Sequence, residues 1–270
     1  MVKNLFSNKK NNLIGCIGAI NIDRSYKCIN SYNYSDSNIA TLTESIGGVM
    51  FNITSILHHL CNKVTFLSFI GDDNESEVIK KKLSDIGLDT TNIISINNEK
   101  TGTYTAIQDK NGEMIIGVND MSIIEKIKPD LVEDSLRKIN ANSWIIDSNF
   151  KEESLEKIIF LLNKKILIAT AVSKYKAPRL KPVLKNLDYL FLNKDELFAI
   201  MPKETRLRDA IEKILKLGTK NIFVTLGSKG AIAANNNKFI KESIFPTKVI
   251  DLNGTGDAFC GAAISYIRQN

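Results

Sequence analysis

The sequence predicts an α/β fold, a doubly wound and largely parallel sheet flanked by helices, with a small β lid over one end. Three observations predict it. Short apolar runs recur along the chain with amphipathic stretches between them, the alternation produced by a parallel sheet under covering helices. Each run is too short for a buried helix, and most are followed by polar or turn residues. Two segments break the alternation with strand-like patterning and no helix beside them, which is how a lid inserted into such a domain reads.

The predicted core strands are, in order, Leu13 to Ile20, Val64 to Ile70, Ser143 to Asp147, Ile166 to Ala171, Tyr189 to Leu192 and Ile222 to Leu226. Between them, apolar residues recur at helical spacing over Val49 to Leu60, Glu75 to Ile86, Glu153 to Leu162 and Leu207 to Leu217. The lid segments are Ser25 to Ser45, rich in Ser, Asn and Tyr, and Thr103 to Val118, a hairpin turning around Asp109-Lys110-Asn111-Gly112. Asn235-Asn236-Asn237 reads as a second hairpin turn. Near the end, Ala258 to Ile267 forms a helix with small residues on one face.

At 270 residues and 43% hydrophobic, the chain can bury one sizeable core, and residues 1–270 are expected to form a single domain. The net charge of +6 is spread in short groups such as Lys80-Lys81-Lys82, the pattern of solvated helix faces. Neither a basic stripe nor interleaved aromatics is present, so a nucleic-acid partner is not expected. Cys16, Cys28, Cys61 and Cys260 form no C-x-x-C pair, which argues against a zinc site or a disulfide framework. No run approaches the roughly 20 apolar residues of a membrane span, and the basic N-terminus lacks the apolar stretch of a secretory signal. The expectation is a cytoplasmic protein without a membrane partner.

The strongest chemical signal is Asp251-Leu252-Asn253-Gly254-Thr255-Gly256-Asp257, lying between a β-branched strand end, Val249-Ile250, and the last helix. Two glycines ahead of a helix let backbone N–H groups converge on an anion, and the helix N-terminus adds partial positive charge. Asp257 in the first turn could then accept a proton from a hydroxyl attacking phosphorus. Taken alone, it reads equally well as an acid that complements the helix dipole.

This segment resembles the Asp-Thr-x-Gly-Ala-Gly-Asp signature of the ribokinase (PfkB) family of carbohydrate and nucleoside kinases, and further resemblances follow in the family's order. Gly18-Ala19-Ile20-Asn21-Ile22-Asp23 resembles its first strand end, and Gly47-Gly48-Val49-Met50-Phe51-Asn52 its Gly-Gly-x-x-x-Asn element. Gly71-Asp72-Asp73 resembles its Gly-x-Asp turn, Asn193-Lys194-Asp195-Glu196 its Asn-x-x-Glu element, and Thr225-Leu226-Gly227-Ser228-Lys229-Gly230 its nucleotide-side hairpin. Two positions depart from the signature: Leu252 stands for the usual Thr and Thr255 for the usual Ala.

The resemblance implies a ribokinase-like fold and transfer of phosphate from ATP, with Mg²⁺, to a sugar or nucleoside hydroxyl. It makes Asp257 the base and the backbone of Asn253, Gly254, Thr255 and Gly256 the anion hole. Asn21, Asp23, Gly47, Gly48, Asn52, Thr105, Asn119 and Asn149 would bind the acceptor. Asn193, Thr225, Gly227, Ser228, Gly230 and Lys176 would bind the nucleotide, with Glu196 reaching the metal through water. A monovalent cation is a further cofactor the family admits, and exposed lid edges suggest a homodimer through the lid.

Three local segments are similar to bacterial pseudouridine kinases: Gly112 to Met121, Ala171 to Ala177, and Asp147-Ser148-Asn149. They point to pseudouridine as acceptor, although Thr170-Ala171 replaces the Asp-Pro usual there. Family members usually continue beyond the catalytic helix to complete the adenine pocket, whereas this sequence stops at Asn270, so a less complete pocket is expected. Two other readings stay open, a ribokinase- or fructokinase-like or other nucleoside kinase of the family, and a catalytically impaired sugar- or nucleoside-binding protein.

Overall fold

A computed structural model describes residues 13–204, 206–245 and 253–269. Val249-Ile250, Asp251 and Leu252 therefore lie outside the described residues.

The described residues begin with β1 (Ile14–Ile17), after which the chain leaves the body at Gly18 to build β2 (Asn21–Cys28) and β3 (Ala40–Gly47) of the lid. It returns through α1 (Val49–His59), β4 (Val64–Ile70), α2 (Asn74–Asp85) and β5 (Ile93–Ser95), and visits the lid again as β6 (Thr103–Gln108) and β7 (Met114–Asp120). Next come α3 (Ser122–Glu125), α4 (Pro129–Leu136), β8 (Ser143–Asp147), α5 (Glu152–Leu161), β9 (Ile166–Thr170) and a 3-10 stretch, Ala177–Asn186. The remainder is β10 (Tyr189–Asn193), α6 (Lys194–Ile200), α7 (Leu207–Lys216), β11 (Asn221–Thr225), β12 (Ala231–Asn235), β13 (Phe239–Glu242) and α8 (Thr255–Gln269).

The predicted core strands are all present, each within a few residues of its expected ends. The first stops at Ile17 because the chain turns into the lid there, and α8 starts three residues earlier than the small-residue face suggested. The main sheet has the order β13-β12-β11-β10-β9-β8-β1-β4-β5. Pairing is parallel from β5 to β11, and β12 and β13 add an antiparallel edge. Strand order reverses between β1 and β8, and the crevice at their carboxyl ends is where such sheets take ligands.

Both faces of the sheet are covered at its centre, so β1, β4, β8 and β9 are buried nearly end to end, whereas burial alternates along β11 and β12. One face joins Ile17, Leu67, Trp144 and Leu190 to residues of α5, the 3-10 stretch, α6 and α7. The other joins Cys16, Phe66, Ile145 and Phe191 to Met50, Ile53 and Leu57 of α1 and to Cys260 and Ile264 of α8. Trp144 is fully buried core, as its place in the strand pattern predicts.

The lid is a second sheet of order β3-β2-β6-β7. Its root is held by Asp73, whose side chain caps α2 at Ser76 N (3.1 Å) and accepts Thr101 N–H (2.7 Å), while Gly71 N donates to Thr101 Oγ1 (3.0 Å). The Gly71-Asp72-Asp73 turn thus clamps the residues that lead into β6.

Candidate active site

Residues 253–256 run exposed into α8, with Gly254 at φ 70°, a left-handed conformation that glycine adopts without strain. Ala258 N donates to Gly254 O (2.8 Å), closing the first turn. Nothing lies within 4 Å of where a Cβ on Gly256 would sit, so space in front of this turn is open. A 15-residue helix therefore points its first-turn N–H groups and its positive end at that space.

Asp257 faces the same space, and its Oδ2 accepts a hydrogen bond from Asn52 Nδ2 (2.7 Å). Burial raises its carboxyl above the usual range, and the Asn52 bond opposes that rise. Glu196 is buried in a capping box: its Oε2 accepts Asn193 N–H (2.8 Å), and Asn193 Oδ1 accepts Glu196 N–H (2.9 Å). Its carboxyl is raised by burial first, with the Asn193 bond opposing and the charges of Asp257 and Asp195 adding to the rise. A cavity of about 170 Å³ brings Asn193, Glu196, Thr225, Gly256 and Asp257 together, walled by Phe191, Phe223 and Phe259. Phe191 and Phe223 stack at 4.6 Å between centroids, a wall that sequence reasoning missed because all three positions also fit the core pattern.

Among the described residues no group of three or more His, Cys, Asp or Glu could hold a metal ion. Two carboxylates facing one open cavity instead suit a hard cation that keeps water and phosphate ligands, which is the habit of Mg²⁺. A helix N-terminus beside them suits a polyphosphate. The residues present therefore fit a magnesium nucleotide.

The acceptor candidates divide. Asn21 Nδ2 donates to Asp23 Oδ1 (2.5 Å), and Asp23 packs so tightly on Gly47 that a Cβ there would overlap its carboxylate. Gly48, at φ 109°, brings the start of α1 against Ala19 O and Asn21. In the lid, Asp23 pairs with Tyr104 and Tyr104 with Asn119, so these three share one face. Thr105 pairs with Arg24 and Val118 on the opposite face. By the period of two along a strand Thr105 therefore lies on the other face of the lid from Asp23, and Tyr104 takes the position beside Asp23.

Asn149 and Lys176 are brought together, but in a buried network at the switch point instead of in the cavity with Asp257. Lys176 Nζ donates to Asn149 Oδ1 (2.8 Å), and Asn149 donates from N and Nδ2 to Asp147 (2.9 Å each). Asp147 also accepts Ala19 N–H (3.0 Å), tying β8 to the turn between body and lid, and burial pushes its carboxyl up to about 6. Its signal in the sequence was an acid ending a short, mostly apolar strand run. The turn at Gly227, Ser228 and Gly230 follows Thr225, yet of these only Thr225 lines the cavity. Gly230 is explained by packing, since a Cβ there would collide with Glu242 O.

Residues 11–270 match the family described as pfkB family carbohydrate kinase. A sugar kinase of Escherichia coli, YeiI, is 26% identical over 93% of this chain and 71% of its own length. The pseudouridine kinase of Escherichia coli is 26% identical over 92% of this chain and 82% of its own. Ribokinase of Arabidopsis thaliana is 31% identical over 73% of this chain and 55% of its own. Among solved structures, a carbohydrate kinase from Agrobacterium tumefaciens superposes with TM-score 0.84 at 26% identity, covering 96% of this chain and 85% of that one. Arabidopsis thaliana ribokinase complexed with ribose and ATP has the same fold, with TM-score 0.82 at 23% identity over 97% and 87% of the two chains.

Proposed function

The chain belongs to the pfkB family of carbohydrate kinases, phosphotransferases with an alcohol group as acceptor, and we propose that residues 1–270 act as one kinase domain that phosphorylates pseudouridine to pseudouridine 5′-phosphate with ATP. The observation that carries the chemistry is Asp257, half-buried in the first turn of α8 and sharing one cavity with Glu196. The acceptor rests on the sequence likeness to a pseudouridine kinase, which covers 92% of this chain and 82% of that one, against 73% and 55% for the sequence likeness to Arabidopsis ribokinase.

In this reading the acceptor hydroxyl lies between Asp257 and the γ-phosphate, and Asp257 takes its proton, because a neutral alcohol is a poor nucleophile until that proton can leave. N–H groups of Gly254, Thr255 and Gly256 hold the oxygens of the phosphoryl group in transit, and loss of one such donor commonly lowers rate by about 10²–10³. Asn21, Asp23, Tyr104 and Asn119 orient the acceptor, while Asn193 and Thr225 lie on the nucleotide side. Mg²⁺ arriving with ATP supplies charge neutralisation, with Glu196 behind its water ligands. The lid excludes water when it closes.

One face of the lid supports a homodimer. Leu42, Tyr26, Ile107 and Ile116 pair across all four strands in one apolar row, and Leu42 and Ile116 are 43% and 51% exposed. This face is opposite to Asp23, so covering it leaves the acceptor side free.

The test is an acceptor screen with ATP and Mg²⁺, measuring ADP and locating the new phosphate by mass spectrometry. Pseudouridine is expected to exceed uridine, ribose and fructose in kcat/KM by at least about tenfold, about 1.4 kcal/mol of discrimination. Faster turnover of ribose or fructose would move the assignment to another sugar kinase. Binding of an acceptor without ADP formation would make the protein a binding protein.

A further inference from the structure

We propose that Asn52 is a positioning residue for Asp257: it fixes one carboxylate oxygen so that the other meets the reacting hydroxyl, and the parallel packing of α1 on α8 sets its reach. The proposal rests on the reading of Asp257 as the base.

The helix pair is joined at three levels. At the cavity end Asn52 Nδ2 lies 2.7 Å from Asp257 Oδ2. In the middle Gly261 meets Ile56, and a Cβ at 261 would fall 2.7 Å from Ile56 Cγ2. At the far end Asn62 Nδ2 donates to Ser265 Oγ (2.9 Å). Asp257, Gly261 and Ser265 recur every four residues and so share one face of α8. Both helices therefore run the same way, with their N-termini at the cavity, and the glycine lets them approach closely enough for an Asn side chain to span the gap. Asn52 lies one turn after Gly48, so the helix that starts directly after the acceptor-side glycines also holds the base.

This bond bears on charge as well as on orientation. Asp257 faces Glu196 from α6 and the thiol of Cys260 one turn along α8, with Cys16 of β1 interacting with Cys260. Burial keeps both thiols protonated, Cys16 up to about 12, so Glu196 is the charge that works against a second carboxylate. Asn52 offers a donor to the ionised form and favours it. A base must be ionised to act, so loss of the donor moves the acid limb of the pH–rate profile to higher pH.

The experiment measures kcat and kcat/KM against pH for wild type, Asn52→Leu and Asn52→Asp, with Asp257→Asn as control. Asn52→Leu keeps the volume without a donor and is expected to raise the acid limb of kcat/KM by about 1 pH unit, the effect of one bond to a charged group. Asn52→Asp adds a carboxylate against Asp257 and is expected to raise it further. Activity lost at neutral pH should return in both as pH rises. An acid limb that coincides with wild type while acceptor KM rises would overturn the proposal and leave Asn52 as an acceptor ligand only. Turnover retained by Asp257→Asn would instead overturn the base assignment. The carboxyl infrared band of Asp257, taken as the difference from Asp257→Asn, reads its protonation without catalysis: an unmoved titration in Asn52→Leu also counts against the proposal.

Discussion

The nine-stranded sheet and the four-stranded lid are both mostly built of strands of four to eight residues, yet only one of them has a core. β1 and β8 are buried from end to end, whereas β7 is exposed along nearly its whole length. The lid reaches the core chiefly at its root, through Ile22 and Ile46. Asp257 and Glu196 sit on helix ends docked to the sheet, while Asp23, Tyr104 and Asn119 ride on strands with little apolar support. In the proposed reaction the difference separates two jobs: charge has to be held still, and an acceptor has to be admitted. Low burial is what makes a segment free to open.

The largest test of this contrast is a matched pair of truncations. Trp144→Ala opens a hole at the centre of the sheet and is expected to lower unfolding free energy by about 3–5 kcal/mol. Among the described residues the indole N–H has no hydrogen-bond partner, so the change removes one unpaired polar atom and the loss belongs near the lower end of that range. Tyr26→Ala in the lid, at a partly exposed position, should change it by less than about 1 kcal/mol. Urea unfolding of the two variants checks this. Equal losses would mean that the lid carries as much of the fold as the body.

A second test concerns how the lid manages its apolar face. Ile116→Lys places a charge in the row formed with Leu42, Tyr26 and Ile107, and is expected to convert a dimer to a monomer at micromolar concentration with little change in the unfolding midpoint. Light scattering reads the mass directly. A wild-type protein that is already monomeric would break the dimer reading and leave the lid as an unpartnered flap.

The same contrast explains what could be read from the sequence. Parallel strands buried on both faces announce themselves as short apolar runs, so Val64 to Ile70 and Ser143 to Asp147 were legible to the residue. Asn193-Lys194-Asp195-Glu196 stood out only by its resemblance to a family element, and the structure shows it as a capping box; the glycine turn ahead of the helix that carries Asp257 was a local pattern, which alone fitted a dipole-complementing acid equally well. The lid's faces were not, because which side Thr105 points to depends on its register with Arg24, and pairing between distant strands leaves no local trace. The Asn52 bond to Asp257 spans 205 positions and rests on the glycine contact between two helices. Lys176 was expected on the nucleotide, and its ammonium sits buried on Asn149, a partner that spacing alone could not name.

The smallest expected effect is at the seam between the two regions. Arg24 bonds Glu44 inside the lid (2.7 Å) and reaches Glu75 on α2 of the body (3.0 Å). Partly exposed ion pairs contribute only about 0.2–1 kcal/mol, so Arg24→Ala should change stability little. If the pair to Glu75 favours the closed lid, its loss should raise acceptor KM by roughly twofold to fivefold while kcat stays within about twofold, since the docked catalytic helices are untouched. Arg24→Ala is a cleaner probe than a change at Glu75, which also lies in the first turn of α2 and interacts favourably with its N-terminus. Salt offers an independent check: at about 1 M the Debye length falls to about 3 Å and the wild-type KM should approach that of the variant. A kcat that falls as much as KM rises would show that the lid and the catalytic helices move as one unit, and the division of labour between the two sheets would fail.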